Sequence, residues 1–422
     1  MLPDLIEIVP PAGPPRDTTV VLPGSKSLTN RALILAALAR GPVTLTGALW
    51  SEDTQAMAEC LRRLGFGVAV AADPAEPANR TFVVEGAGGR IPKGGTAAQP
   101  LDLFVENAGT AARFLPPMLC LGDGVYRLSG IPRMHERPQA ALVQALRALG
   151  YRIDTPNDRL PAVVHGAGPR PGAACAVSVE ESSQFASALL LCADLGGWRI
   201  DVTGGNPDEL PYVDMTRRLV RDFPRDGGTY AIEADASGAS YFWGADWLLR
   251  RSGSRVHVAP VPRSGMQADQ KFLDLVVEKD WQATFSRQTD LADSIMTAIV
   301  LAPFAKAPTR FTELGRLRVQ ECERVVALRT ELTKCGATVA ESGDTLTVQP
   351  GAIHGGEIET YNDHRVAMCF GMLGLVVPGM VLRNPACVRK TFPNFFAKLA
   401  EVGATVRDAR TGRVLAGEDL LA

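Results

Sequence analysis

The sequence predicts a two-domain protein of the α/β (α+β) class. A polar opening, an apolar run of helical length and a short β-rich run follow one another six times. A second phrase, an amphipathic helix and then a strand, recurs between those units. Three copies lie before about residue 230 and three after it. A fixed-order repeat of this size means one supersecondary unit copied along the chain. Alternation of helix and strand is the pattern of sheets covered by helices.

The first opening, Gly24-Ser25-Lys26-Ser27, precedes an apolar stretch and the β-rich run 43–49. Asn107-Ala108-Gly109-Thr110 leads to the run 125–131, and Glu181-Ser182-Ser183-Gln184 to 198–204. In the later half Ala236-Ser237-Gly238-Ala239-Ser240 leads to 255–261, Asp290-Leu291-Ala292-Asp293 to 309–314, and Asn362-Asp363-His364-Arg365 to 380–386. The second phrase occupies 61–70, 146–153, 219–223, 273–285, 332–339 and 399–406. Runs 6–9 and 18–22 precede the first opening with no helix of their own. Such a strand can complete a sheet of the later half, so two crossings between the domains are expected. Six helix starts result, and each offers free N–H groups and a positive dipole end, which suit anions.

A chain of 422 residues is long enough for two cores, and 46% hydrophobic with 21% charged residues is ordinary for a globular protein. The 44 basic and 46 acidic side chains nearly cancel, which argues against nucleic-acid and membrane-surface partners. No cationic segment precedes an apolar run at Met1-Leu2-Pro3-Asp4, so no secretory signal is read. The apolar runs 189–195 and 295–304 are too short to span a bilayer. Eight scattered cysteines show neither C-x-x-C nor a histidine at ligand spacing. Reduced thiols in a cytoplasmic protein without a metal site are the expectation.

Taken singly, the motifs have plain structural explanations. Pro23–Arg31 carries a glycine, hydroxyls and the cations Lys26 and Arg31, which suit a phosphate or carboxylate, but a capped helix with solvated charges looks the same. It is not a Walker loop, since G-x-x-x-x-G-K-[ST] is absent. The small residues after Asn107 allow close backbone approach by a ligand or merely by another helix. The loop Pro132–Pro138, with Arg133, reads alone as a solvated turn. Ser182, Ser183 and Gln184 suit phosphate oxygens, whereas an N-cap explains at most one serine. Asp293 at a helix start is ordinary dipole complementation, and Glu321 with Arg324 a small surface pair. Together they point elsewhere. Lys26, Arg31, Arg133, Arg324, Arg365 and Lys390 all fall in openings or adjoining loops. If the repeats stack, these cations gather in one cleft for a multiply anionic ligand. Asp293 and Glu321 are then the candidates for acid and base work.

In this order the motifs PGSKS-x-x-NR, NAGTA-x-R, PRM-x-ERP, SSQ, PYV-x-MT, DASGASYF, RV-x-E-x-x-R, DHR-x-AM and RKTFP cover essentially the whole chain. That set resembles the 5-enolpyruvylshikimate-3-phosphate synthase family of enolpyruvyl transferases. The resemblance implies a two-domain inside-out α/β barrel, each domain made of three βαβαββ repeats. It places the first domain at 21–231 and the second at 1–20 with 232–422. It implies transfer of the enolpyruvyl group of phosphoenolpyruvate to the 5-hydroxyl of shikimate 3-phosphate through a tetrahedral adduct that then loses phosphate. Lys26, Ser27, Arg31, Ser182, Ser183, Gln184, Tyr212, Asp293, Arg316 and Gln320 match positions around the phosphorylated acceptor. Lys26, Gly109, Arg133, Gln184, Arg324, Arg365 and Lys390 match positions around phosphoenolpyruvate. Asp293 looks like the base on the hydroxyl and Glu321 like a proton-transfer group at C3, with Lys26 the third catalytic candidate. No cofactor is implied, because the enolpyruvate is already activated and electrostatic stabilisation can carry the step. A monomer is expected, with domain closure to exclude water.

Three residues depart from the family's pattern: Gln320 stands for a lysine, Arg316 for an asparagine and Glu209 for a serine. All three positions face the acceptor in the family. Arg316 is expected to replace the lost cation. Glu209 is an anion beside a phosphate, repulsive unless it turns away or pairs with arginine. The departures are the one argument for a paralogous carboxyvinyl transferase with another phosphorylated acceptor. A UDP-N-acetylglucosamine enolpyruvyl transferase fits less well, since the loop Pro132–Pro138 has no cysteine and Cys120 falls in an apolar helix. A scaffold that has lost turnover has no use for both Asp293 and Glu321.

Overall fold

The computed structural model describes residues 2–14, 16–206, 209–279 and 281–422. The chain divides into two compact units, a first one of Gly24–Glu233 and a second one of Met1–Pro23 with Ala234–Ala422. Among the described residues, each unit holds two four-stranded sheets and one two-stranded sheet.

All four larger sheets share one pattern, a parallel pair followed by two antiparallel neighbours. In the first unit Gly228–Ala231 runs parallel to Pro42–Leu49, which pairs antiparallel with Asn79–Glu85 and that with Val68–Ala72. Leu101–Phe104, Val125–Ser129, Ala162–His165 and Arg152–Asp154 repeat the arrangement. In the second unit Thr284–Ser286, Thr309–Thr312, Thr345–Val348 and Val339–Ser342 do so again. The fourth sheet takes its third strand from the chain start: Leu5–Val9 lies between Met380–Arg383 and Thr405–Asp408, with Ile6 opposite Leu382 and Asp408. Glu357–Glu359 completes it in parallel with Met380–Arg383. The two-stranded sheets, Ala174–Ser178 with Arg199–Thr203 and Asp17–Val21 with Arg255–Ala259, are both parallel.

Helices head the predicted units at Lys26–Leu38, Gly109–Cys120, Ser183–Gly196, Ala236–Leu249, Ile295–Leu301 and His364–Leu373. These are interior helices. Every residue from Leu28 to Leu38, from Gly109 to Cys120 and from Ile295 to Leu301 is buried. A helix that is apolar all round can satisfy that composition only in a core. The helices of the second phrase, such as Glu52–Arg63 and Leu210–Asp222, bury one face and leave charged residues on the other.

One interior helix carries Pro116 and Pro117. Pro116 has no N–H to give the carbonyl of Ala112, and the buried Gln139 side chain donates to that oxygen at 3.1 Å. Among the described residues, the stretch 273–285 is where a recurring helix is not an α-helix. Leu273–Glu278 and Arg287–Leu291 are wide i→i+5 turns and Ala292–Ser294 is a 3₁₀ turn. Residue 280 lies outside the described residues.

Candidate functional site

The first unit opens on a close backbone contact. A Cβ on Gly24 would stand 2.0 Å from the Gly47 carbonyl oxygen, so the opening tolerates glycine alone. Its N–H donates to Asn79 Oδ1 at 2.8 Å. Ser25, before helix Lys26–Leu38, makes no side-chain cap bond. Lys26 Nζ lies 3.3 Å from the buried carboxylate of Asp53, and Ser27 is half-buried. Arg31, expected at a phosphate, is sealed inside. Its Nε donates to Thr216 Oγ1 at 2.7 Å, Nη1 to the Ser27 carbonyl at 2.9 Å and Nη2 to Ser187 Oγ at 3.2 Å. The guanidinium also lies 5.0 Å from the Phe114 ring centroid. Burial lowers its pKa to about 10, against a smaller opposing effect of Tyr212. Arg31 thus braces its own helix against Ser183–Gly196 and Leu210–Asp222, because an unpaired guanidinium there would be costly.

At the second opening Asn30 Nδ2 donates to Thr110 Oγ1 at 2.6 Å and ties two helix starts together. Arg113 folds back on Gly109 O at 3.1 Å and reaches Pro138 O at 2.9 Å. The two arginines of the Pro132–Pro138 loop are placed differently. Arg133 is exposed on the short helix Pro132–Glu136 and bridges to Glu136 at 2.5 Å. Arg137 instead turns inward: it donates to Asn107 O at 3.2 Å, and its Nη2 would lie 2.8 Å from a Cβ placed on Gly109. The signal was in the sequence. Pro138 drives the residue before it out of the helical region, and Arg137 has ψ of 144°. Glycine at 109 leaves the room that this guanidinium occupies.

At the third opening Ser182 caps helix Ser183–Gly196 by accepting Gln184 N–H at 3.3 Å. The N–H of Ser183 donates to Glu209 Oε2 at 2.6 Å, and Glu209 is buried. Glu209 therefore turns toward the helix start. Gln184 and Tyr212 are half-buried close by in sequence, and the Tyr212 carbonyl accepts Thr216 Oγ1–H at 2.9 Å.

The second unit is built on paired charges. Arg324 Nε lies 2.7 Å from Asp363 Oδ2, and Arg324 Nη2 2.8 Å from Glu321 Oε2. Its Nη1 donates to Gln320 Oε1. Lys390 Nζ meets the other oxygen of Glu321 at 3.1 Å. Burial works against the Arg324 charge, yet Asp363, Glu321 and Asp293 hold its pKa above the usual guanidinium range. Asp293 is held between Arg287 at 2.7 Å and Arg365 at 3.3 Å. Burial alone would raise its pKa, but Arg365, Arg287 and Arg324 hold it well below the carboxylate range. Ala292, next to it, has φ of +47°, a strained backbone that aims Asp293 inward. Arg365 Nη2 also donates to Ser237 Oγ at 3.3 Å, whose hydroxyl donates to Asp269 Oδ2 at 2.7 Å. Asp269 additionally accepts Ser294 N–H at 2.7 Å. Burial pushes its pKa up to about 6, eased by Arg365 and reinforced by Asp293. Arg316 is half-buried in the turn Leu314–Val319.

Sequence reasoning named Asp293, Glu321, Arg324, Arg365, Lys390 and Gln320, and the structure brings these six into one web. It did not name Arg287 or Asp269, which follow no motif, nor Asp363 as an Arg324 partner. The signal for Asp363 was its place as an acid at a helix start, where its carboxylate accepts Arg365 N–H at 2.8 Å. Among the described residues no group of three or more His, Cys, Asp or Glu is arranged to hold a metal ion, and no helix is long and apolar enough to cross a membrane.

Two units of one topology, with buried charged and hydroxyl groups at their helix starts, define an α/β enzyme for small anionic ligands. The family model described as EPSP synthase (3-phosphoshikimate 1-carboxyvinyltransferase) matches residues 13–399. A 3-phosphoshikimate 1-carboxyvinyltransferase of Opitutus terrae is 39% identical, covering 94% of this chain and 97% of its own. One of Nostoc punctiforme is 36% identical over 94% of this chain and 99% of its own. The solved EPSP synthase of Acinetobacter baumannii, 20% identical, superposes with a TM-score of 0.74 over 96% of this chain and 100% of that one. The enolpyruvyl transferase NikO of Streptomyces tendae, 18% identical, gives 0.66 over 96% and 98% and so shares the fold. The chain belongs to the EPSP synthase (3-phosphoshikimate 1-carboxyvinyltransferase) family and is an enzyme of the transferase class.

Proposed function

We propose that this enzyme transfers the carboxyvinyl group of phosphoenolpyruvate to the 5-hydroxyl of shikimate 3-phosphate, releasing phosphate, on the route to chorismate and the aromatic amino acids. The observation that carries the assignment of roles is the second unit's web, where Asp293 and Glu321 are each held by two cations.

Asp293 is the base on the hydroxyl. Its two oxygens rest on Arg287 and Arg365, which makes it a permanent anion but a weak proton acceptor. When Arg365 turns to the carboxylate of phosphoenolpyruvate, one oxygen is released and its basicity rises. The oxygen of the acceptor then bonds to C2 of phosphoenolpyruvate as C3 takes a proton from Glu321. Lys390, on the second oxygen of Glu321, stabilises the carboxylate that this transfer leaves. In the second half Glu321 removes a proton from C3, the C2–O bond to phosphate breaks, and phosphate leaves with the proton held by Asp293. Arg324 and Lys390 stabilise charge on the phosphoenolpyruvate groups, as does Arg137 in place of Arg133.

In the first unit Lys26, Ser27, Ser182, Ser183, Gln184 and Tyr212 are assigned to the acceptor, Lys26 and Gln184 also to phosphoenolpyruvate beside Gly109. Arg31 contributes by bracing the helices that carry them. Arg316 and Gln320 complete the acceptor's surroundings, with Arg316 supplying the cation. The units are assigned as two enolpyruvyl transferase domains of three βαβαββ repeats each. All eight cysteines are free thiols, which supports a reducing cytoplasmic location, and the working form is assigned as a monomer.

The decisive assay is phosphate release from phosphoenolpyruvate with purified enzyme. Turnover that depends on shikimate 3-phosphate supports the proposal, and release that requires a different acceptor defeats it. Asp293→Asn is expected to lower kcat by about 10²-fold or more with little change in either KM.

A further inference from the structure

The third opening of the first unit contains an anion that the chain itself supplies. Helix Ser183–Gly196 runs for 14 residues, so its start carries a full positive dipole end. Ser182 satisfies one amide of that start. The neighbouring amide, Ser183 N–H, donates to a carboxylate oxygen of Glu209 at 2.6 Å, and Glu209 is only 5% exposed. Glu209 is also the N-cap residue of the next helix, Leu210–Asp222, yet it makes no side-chain cap bond there. Its carboxylate points back to the preceding helix, among the groups assigned above to phosphate oxygens of the acceptor.

One N–H cannot serve two oxygens at full strength, and two anions at hydrogen-bond distance repel strongly in a partly buried setting. A phosphate at this helix start must displace the carboxylate or share its donor, and either lowers affinity. We propose that Glu209 is a specificity-determining residue of the acceptor subsite. Its carboxylate occupies a donor that a phosphate would use, and so reduces the enzyme's preference for a phosphorylated acceptor over a neutral one. This rests on the reading of Ser182, Ser183 and Gln184 as acceptor contacts.

The test compares wild type with Glu209→Ser and Glu209→Gln. KM and kcat are measured for shikimate 3-phosphate at saturating phosphoenolpyruvate, for phosphoenolpyruvate at saturating acceptor, and for shikimate, which lacks the phosphate. In Glu209→Ser the KM for shikimate 3-phosphate falls by about tenfold or more, and the preference over shikimate rises by the same factor. In Glu209→Gln, which keeps an accepting oxygen and hence the helix contact, both change in the same direction by less. The KM for phosphoenolpyruvate stays constant. A residue that merely caps the helix would weaken both acceptors alike and lower Tm. An unchanged preference in both variants, with wild type active, overturns the role of Glu209 alone. If folded wild type and variants release phosphate only with some other acceptor, the reaction assigned above fails and Glu209's role with it.

Discussion

The two units share a sheet topology but furnish their helix starts in opposite ways. In the second unit the starts are filled by the chain's own carboxylates: Asp235 accepts Gly238 N–H, Glu323 accepts Val326 N–H and Asp363 accepts Arg365 N–H. Those acids are also what hold the arginines, as the Asp363–Arg324 pair shows. In the first unit Ser25 and Ala108 make no side-chain cap bond, and Ser182 uses a neutral hydroxyl. There the buried cation Arg31 rests on hydroxyls and a carbonyl rather than on an acid. Glu209 is the exception, a carboxylate at a helix start of the first unit. The lesson is that one scaffold can hold a buried arginine on carboxylates in one unit and on neutral groups in the other.

The comparison breaks most severely at Asp363. Asp363→Asn keeps an oxygen for the N-cap, since asparagine caps as well as aspartate, but leaves Arg324 buried without its main counterion. Chemical denaturation should show a loss of roughly 3–5 kcal/mol, as when one partner of a buried ion pair is removed. The matching change in the first unit, Thr216→Val, takes a hydroxyl from Arg31 and should cost about 1–3 kcal/mol. Equal losses at the two sites would show that the distinction between acid-held and hydroxyl-held arginines has no energetic content.

Acidity separates two carboxylates within the second unit. Asp269 is raised from 3.8 to about 6. A raised carboxyl favours the folded state below its unfolded pKa, and that advantage disappears as pH climbs through the folded value. Between pH 4 and pH 7 its contribution should fall by roughly 3 kcal/mol. Asp293 is held well below the ordinary value, so its contribution is present above about pH 4 and is lost only under stronger acid. Comparing wild type with Asp269→Asn across pH 4–7 isolates the first effect. A wild-type stability that does not fall relative to Asp269→Asn as pH rises toward neutral would contradict the assigned burial of that carboxyl.

Much of the fold was legible because it repeats. The β-rich runs after all six openings are strands, and the helices between are interior ones, since an apolar run headed by small polar residues has few other places to go. The region 273–294 was less legible. Its wide and 3₁₀ turns carry the same apolar spacing as an α-helix over so short a span, and the strain at Ala292 has no sequence mark. Site residues in named motifs were legible as types but not as partners. Arg31 reads as a ligand cation in the sequence, whereas its bonds to Thr216 and Ser187, far along the chain, were not legible there. Arg287 had no motif at all.

The acceptor side offers a finer test of how the second unit compensates its substitutions. Gln320 is already engaged by Arg324, which leaves Arg316 as the cation assigned to the acceptor. Arg316→Ala should raise the KM for shikimate 3-phosphate by about tenfold, the worth of one charge-assisted contact, with the KM for phosphoenolpyruvate unchanged. An unchanged acceptor KM would remove Arg316 from the site.

The smallest expected effect is the most exact check on the first unit. Arg133 and Arg137 stand four residues apart in one motif, yet one faces outward to Glu136 and the other lies over Gly109. Arg133→Ala loses only an exposed i,i+3 pair, worth about 0.5 kcal/mol or less, and should leave the KM for phosphoenolpyruvate within about twofold. Arg137→Ala removes a guanidinium that Gly109 makes room for, and should raise that KM by about tenfold or more. The Pro138 that follows Arg137 is the cause of this asymmetry, because it ends the short helix and turns the preceding side chain inward. Reversed effects would mean that the loop re-forms when phosphoenolpyruvate binds. The two arginines would then exchange roles, and the helix start at Gly109 would be shaped by its ligand and not in advance of it.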